Sequence, residues 1–115
     1  MRRFNPQWLN RPRKRDNPEG RLVRQILIYL HARGYAAGKL KTMGVKRGNA
    51  YCFDPYQWRG VPDLLVFTPA LVFIECKSPT GTQSSEQKIF QEYCNTANLT
   101  YILARNLSDV EKALP

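Results

Sequence analysis

The sequence predicts an α/β fold, a mixed sheet flanked by helices in the element order α-β-β-β-α-β-α. Two observations carry this prediction. The segments Pro62 to Phe67 (PDLLVF) and Leu71 to Lys77 (LVFIECK) are apolar and rich in strand formers, and Thr68-Pro69-Ala70 between them is a hairpin signal. On either side of this pair lie stretches whose apolar residues recur at helical spacing.

Asp16 or Asn17 can cap the first helix, Pro18 suits its first turn, and Gly34 can end it. Leu22, Val23, Ile26, Leu27 and Leu30 then share one face. Residues 35–42 read as a first strand, 43–50 as a loop, and 50–60 as a short strand plus turn. After the hairpin, Ser84-Ser85-Glu86-Gln87 has capping-box spacing. It opens a helix whose expected inner face is Ile89, Phe90, Tyr93, Cys94 and Ala97. Leu99 to Ala104 (LTYILA) reads as a fourth strand, and Ser108 as the cap of a short closing helix.

At 115 residues the chain has room for one core. Its 43% hydrophobic content is that of a folded protein rather than a disordered one. No apolar run is long enough to cross a bilayer, and no apolar stretch follows the basic N-terminus as a signal peptide would require. A soluble, cytoplasmic protein without a membrane partner is expected. The cysteines at 52, 76 and 94 are odd in number and far apart, and His31 is the one histidine, so neither a zinc site nor a disulfide framework is expected. Cys–His catalysis would need His31 close to a thiol; at the end of a helix, a half-exposed imidazole is the simpler expectation.

Eighteen Lys and Arg oppose nine Asp and Glu, a net charge of +9. Arg2, Arg3, Arg11, Arg13, Lys14 and Arg15 precede the first acid, so six of these charges sit in an N-terminal arm and +3 remains for the rest. We divide the chain into this arm, 1–16, and a domain, 17–115. A basic arm on a mildly basic domain suits a polyanion, and nucleic acid is the commonest. A solvated tail has the same composition, so the arm supports a function without defining one.

The hairpin carries the chemistry. With the turn centred on Pro69 and the strands antiparallel, Asp63 lies opposite Glu75, Leu65 opposite Phe73, and Phe67 opposite Leu71, all on one face. Leu64, Val66, Val72, Ile74 and Cys76 occupy the other. With both faces apolar, the hairpin is expected inside the sheet and covered on both sides. Asp63 and Glu75 would then have Cβ atoms ~5 Å apart, and like charges so placed are destabilising. Lys77 projects from the same face, two residues on. One reading is a salt bridge from Lys77 to one acid, with the other in solvent. The stronger one is a partly buried, net-negative site resolved by a hard divalent cation. Oxygen ligation without His or thiolate favours Mg2+, with Mn2+ as substitute.

Gly60-Val61-Pro62-Asp63, then Glu75-Cys76-Lys77, then Ser84-x-x-Gln87 resembles the virus-type replication-repair nuclease (VRR-NUC) family of the PD-(D/E)xK superfamily. The likeness runs from about Glu19 to the end and leaves out the basic arm. It implies a restriction-endonuclease-like core. It also implies that Asp63, Glu75 and the backbone carbonyl of Cys76 hold metal, while Lys77 orients the attacking water and offsets phosphate charge. Glu19 matches an additional acid acting on the metal through water, and Gln87 a helix glutamine that reaches the scissile phosphate or the lysine. Both also have plain structural readings: Glu19 as an acid at a helix N-terminus, Gln87 as the closing member of a capping box.

DNA would meet this site along Lys39 and Lys41 on the first strand, Lys46 and Arg47 in the next loop, Arg59 before the motif, and Arg11, Arg13, Lys14 and Arg15 of the arm. Phe4 and Trp8 can stack on bases or pack against a partner subunit. The resemblance implies a Mg2+-dependent endonuclease for branched DNA, most akin to a homodimeric Holliday-junction resolvase. A flap or single-strand nuclease is the enzymatic alternative, and a DNA-binding module that keeps the fold is the non-enzymatic one.

Overall fold

The computed structural model describes residues 17–40, 45–47, 50–52 and 56–114, with the backbone alone for 45–47 and 50–52. The basic arm, Lys41 and the boundary at residue 16 lie outside the described residues. The element order is α1 (Pro18–Ala32), β1 (Ala36–Lys39), β2 (Val45–Arg47), β3 (Ala50–Cys52), β4 (Leu64–Phe67), β5 (Leu71–Cys76), α2 (Ser85–Thr96), β6 (Thr100–Ala104) and α3 (Leu107–Ala113).

Local chemistry sets the ends of α1. Asn17 accepts from the Gly20 amide at 2.6 Å and Pro18 occupies the first turn. At the other end Gly34 adopts φ +85°, while its amide and that of Tyr35 donate to His31 and Leu30. This left-handed closure is open to glycine without a Cβ penalty. Helix α2 ends the same way with Asn98 at φ +58°.

Four strands form one sheet in the order β1-β4-β5-β6, antiparallel except for the parallel β5–β6 pair, so the sheet is mixed. The hairpin register is the expected one, with Leu65 opposite Phe73 and Phe67 opposite Leu71. Its strands are the two central ones. Leu64, Val66, Val72, Ile74 and Cys76 join Leu22, Val23, Ile26, Leu27 and Leu30 of α1 and Val110 of α3 in a single core. Helix α2 takes the opposite face, where Phe90 meets Phe73 edge-on with ring centroids 5.2 Å apart.

Several expectations change. The segment 43–50 is not all loop: β2 and β3 pair antiparallel, with Arg47 opposite Ala50. Gly48-Asn49 between them is a two-residue hairpin signal that the polar composition obscured. Asn106, not Ser108, caps α3, because Asn106 and Asp109 exchange side-chain and backbone hydrogen bonds in a capping box. His31 is buried rather than half-exposed: its Nε2–H donates to the Ala37 carbonyl at 2.7 Å, tying α1 to β1. The inner stripe of α2 is Gln87, Phe90 and Cys94, whereas Ile89, Tyr93 and Ala97 face outward. A polar residue holds an inner position there because it has a buried partner. Finally, only the α1–α3 face of the hairpin is fully covered; Phe67 is 57% exposed on the other.

Candidate active site

The end of the hairpin farthest from its turn brings Asp63, Glu75 and Lys77 together. Asp63 lies just beyond β4, and continuing the register one step sets it across from Glu75. Its carbonyl accepts from the Leu40 amide at 2.9 Å, and its Oδ2 accepts from the Cys76 amide at 2.8 Å. The carboxylate is therefore anchored to the neighbouring strand at the residue that follows Glu75. The Cys76 side chain is turned into the core.

Glu75 is 1% exposed, an unusual place for a carboxylate. Its Oε1 receives the Gln87 amide at 2.9 Å and lies 3.5 Å from Lys77 Nζ. Its Oε2 is buried and makes no hydrogen bond within the structure. Gln87 acts at both ends of its side chain: Oε1 accepts from the Ser84 amide and closes the capping box, while Nε2 holds Glu75. It thus reaches a carboxylate rather than the lysine. Lys77 extends the parallel pairing by donating its amide to Ala104.

Gly60 locks the approach to Asp63 against this helix. It adopts φ +73°, and a Cβ there would collide with the backbone of Glu86, one residue before Gln87. Both conditions demand glycine.

Glu19 is placed differently. Its carboxylate lies against Gly81, in the loop that follows Lys77, and no group of three or more His, Cys, Asp or Glu able to hold a metal occurs among the described residues. Of the cations expected along a DNA path, Lys39 is exposed on β1, and Arg59 is exposed beside Glu86 at 3.8 Å. Lys46 and Arg47 have their backbones in β2, and their side chains lie outside the described residues, as do Lys41, Arg11, Arg13, Lys14 and Arg15.

The donor set fits a hard cation. It is all oxygen, with two carboxylates, and Mg2+ is ordinarily held by one or two carboxylates plus waters and substrate phosphate rather than by a full protein cage. Among the described residues no thiol or imidazole competes: His31 is bonded to Ala37, Cys76 is turned into the core, and Cys94 is buried, its thiol pushed up by that burial.

Two neighbours of the site escaped the sequence reading. Tyr101 stands beside Phe73 in the parallel register, and its hydroxyl accepts from Gln83 at 3.2 Å. Burial pushes its pKa up to about 12, with smaller upward contributions from the charges of Glu75, Cys94 and Asp63, against the opposing Gln83 bond. Arg105 donates from Nη1 to the carbonyls of Ser78, Pro79 and Gly81, holding the loop after Lys77. The alternation in LTYILA sets Tyr101 on the face opposite Ile102 and Ala104, which was the available signal.

No family model and no curated protein matches this sequence. Among solved structures, a VRR_NUC domain superposes with a TM-score of 0.63 over 86% of this chain and 96% of that domain, at 20% identity. No helix among the described residues is long and apolar enough to cross a membrane. The mixed sheet, its central hairpin and the helices on its two faces therefore have the fold of a VRR_NUC domain.

Proposed function

We propose that this chain is a metal-dependent nuclease that hydrolyses phosphodiester bonds in branched DNA. The observation that carries the reading is Glu75: a carboxylate buried at the end of a central strand, held by Gln87 and Lys77, next to an anchored Asp63. Buried acids without a task are rare, because the charge is costly to desolvate. The shared fold with a VRR_NUC domain supports the same class.

In this reading Asp63, Glu75 and the carbonyl of Cys76 would hold Mg2+ or Mn2+, and Glu19, across the loop at Gly81, would act on it only indirectly. The ion supplies Lewis-acid polarisation of the phosphate and a more acidic water. The chain's own groups do the rest. Gln87 and the Cys76 amide fix the two carboxylates so that neither rotates away on binding substrate. Lys77 Nζ places a positive charge at the same carboxylate, where it orients the entering water and counters negative charge as it grows on the phosphate. Water oxygen bonds to phosphorus and gives up a proton to solvent, the bond to the leaving sugar oxygen breaks, and that oxygen takes up a proton from solvent.

The four-way-junction form of this reading requires a homodimer, since one site per chain must meet two strands. The flap or single-strand form requires one site only, and the exposed aromatic surface beside Gly60 favours it.

The test is cleavage of four-way junction, flap, duplex and single strand, with Mg2+, Mn2+ or EDTA. Cutting is expected with either metal and absent in EDTA. Asp63→Ala, Glu75→Ala and Lys77→Ala should each lower the rate by roughly 100-fold or more, the scale of losing one group that stabilises developing charge. Paired, symmetric cuts in the junction indicate the dimer; cuts at a flap base indicate the second form. Metal-independent cutting, or full activity in all three variants, rejects the nuclease.

A further inference from the structure

We propose that Trp58, with Tyr56 and Arg59, forms a stacking site for an unpaired nucleobase of the substrate, beside the cleavage centre. The inference rests on the nuclease reading for the identity of that centre and adds the substrate feature it selects.

Trp58 is held yet open. Its ring makes edge contacts with Phe90 and Tyr93, both at 5.8 Å between centroids, at 73° and 84°, and still 59% of the residue is exposed. Tyr56 is 95% exposed, and the two line an open cavity of about 320 Å3 with Arg59, Glu86, Ile89 and Tyr93. A large aromatic ring left on the surface forgoes much burial energy, and one held by two other rings has little orientational freedom left to lose on binding. This is the surface that results when α2 turns Ile89 and Tyr93 outward instead of into the core.

Its location ties it to the chemistry. Trp58 is five residues before Asp63, so their Cα atoms are at most ~18 Å apart even with the chain fully extended. That is the length of about five stacked nucleotides at ~3.4 Å each. Gly60 fastens the intervening chain to the first turn of α2. Phe90 continues the contact inward to Phe73, which shares a strand face with Glu75. The aromatic surface and the carboxylates therefore belong to one rigid unit.

The chemistry of the surface suits a base with its phosphate. Sequence-tolerant single-strand sites combine aromatic faces with cations along the backbone path. Here Arg59 supplies the cation; its pairing with Glu86 is long at 3.8 Å and exposed, the kind of ion pair that contributes little and exchanges readily for a phosphate. A fully paired duplex presents only base edges in its grooves, with the faces hidden in the stack. A flap, a splayed arm or a single strand offers a face; an intact four-way junction does not.

The sequence contains two tryptophans, so Trp8→Phe leaves Trp58 as the only one. Its emission in the full chain is titrated in EDTA with oligothymidylate, a flap substrate and a blunt duplex. Saturable quenching by the first two and little by the duplex is expected. Trp58→Ala, and separately the fully surface-exposed Tyr56→Ala, should weaken flap binding by about 10-fold while changing duplex binding little. Equal quenching by blunt duplex, no quenching by any strand, or unchanged flap affinity in both variants overturns the stacking site. So does a shift in emission on concentrating the protein alone, which would assign the patch to a second copy. Cleavage without quenching overturns this proposal and leaves the nuclease standing; quenching without cleavage does the reverse.

Discussion

Alternate residues of the β4–β5 hairpin enter two environments that differ in kind. Toward α1 and α3, Leu64, Val66, Val72, Ile74 and Cys76 are all buried among apolar neighbours. Toward α2, burial is graded along the strands, from the exposed Phe67 near the turn to the fully buried Glu75 at the far end. The gradient follows the helix. Helix α2 covers β6 and the end of β5, and its first turn delivers Gln87 to Glu75. One face thus supplies stability by close packing. The other tolerates a buried charge because two groups meet it there, and it leaves open the approach that a large substrate needs.

The comparison can be broken most directly at Ile74, the core-side neighbour of Glu75. Ile74→Ala should lower unfolding stability by about 2–5 kcal/mol through lost burial and the cavity left behind, measured by denaturant titration. A smaller cost would mean that this face is less tightly packed than its burial indicates. Gly60→Ala should cost about 1–3 kcal/mol, because it forces a side chain into a left-handed conformation and against the backbone of Glu86. The same variant should lose cleavage rate beyond what its remaining folded fraction explains, since it displaces the helix turn that carries Gln87. Equal losses in stability and rate would remove Gly60 from the positioning of the site. The smallest effect is expected at Phe67, where Phe67→Ser should change stability by no more than about 0.5 kcal/mol. A large loss there would show that something covers that face in solution and that the two sides are more alike than the single chain suggests.

Much of this architecture was legible. The buried stripe of α1 is the one that helical spacing picks out, and the hairpin register follows from centring the turn on Pro69. The motif residues Asp63, Glu75 and Lys77 do lie at one end of that hairpin. The misreadings share a cause. Ranking by hydrophobicity turned Ile89 and Tyr93 inward and ignored Gln87, whose place inside depends on a carboxylate twelve residues away. Ser108 looked like a cap on its own, but the reciprocal pair Asn106–Asp109 satisfies two amides and starts the helix earlier.

What the sequence by itself determined is what short-range physics encodes: the two-residue alternation of the strands, the helical stripe, the caps at Asn17 and Ser84, and the glycine that ends α1. Each depends on residues within a few positions of one another. Tertiary structure alone decided that β6 pairs parallel to β5 and sets Tyr101 beside Phe73. It also decided that Arg105 grips the loop after Lys77, that Gly60 meets the backbone of Glu86, and that Trp58 stands open against Phe90 and Tyr93 of α2. The strand pairing, the Arg105 bonds and the Gly60–Glu86 approach join residues 24 to 28 positions apart, and no local periodicity specifies which of them meet. They form because burying the shared core orients the sheet and helix first, and the polar groups then find the partners that this packing leaves within reach.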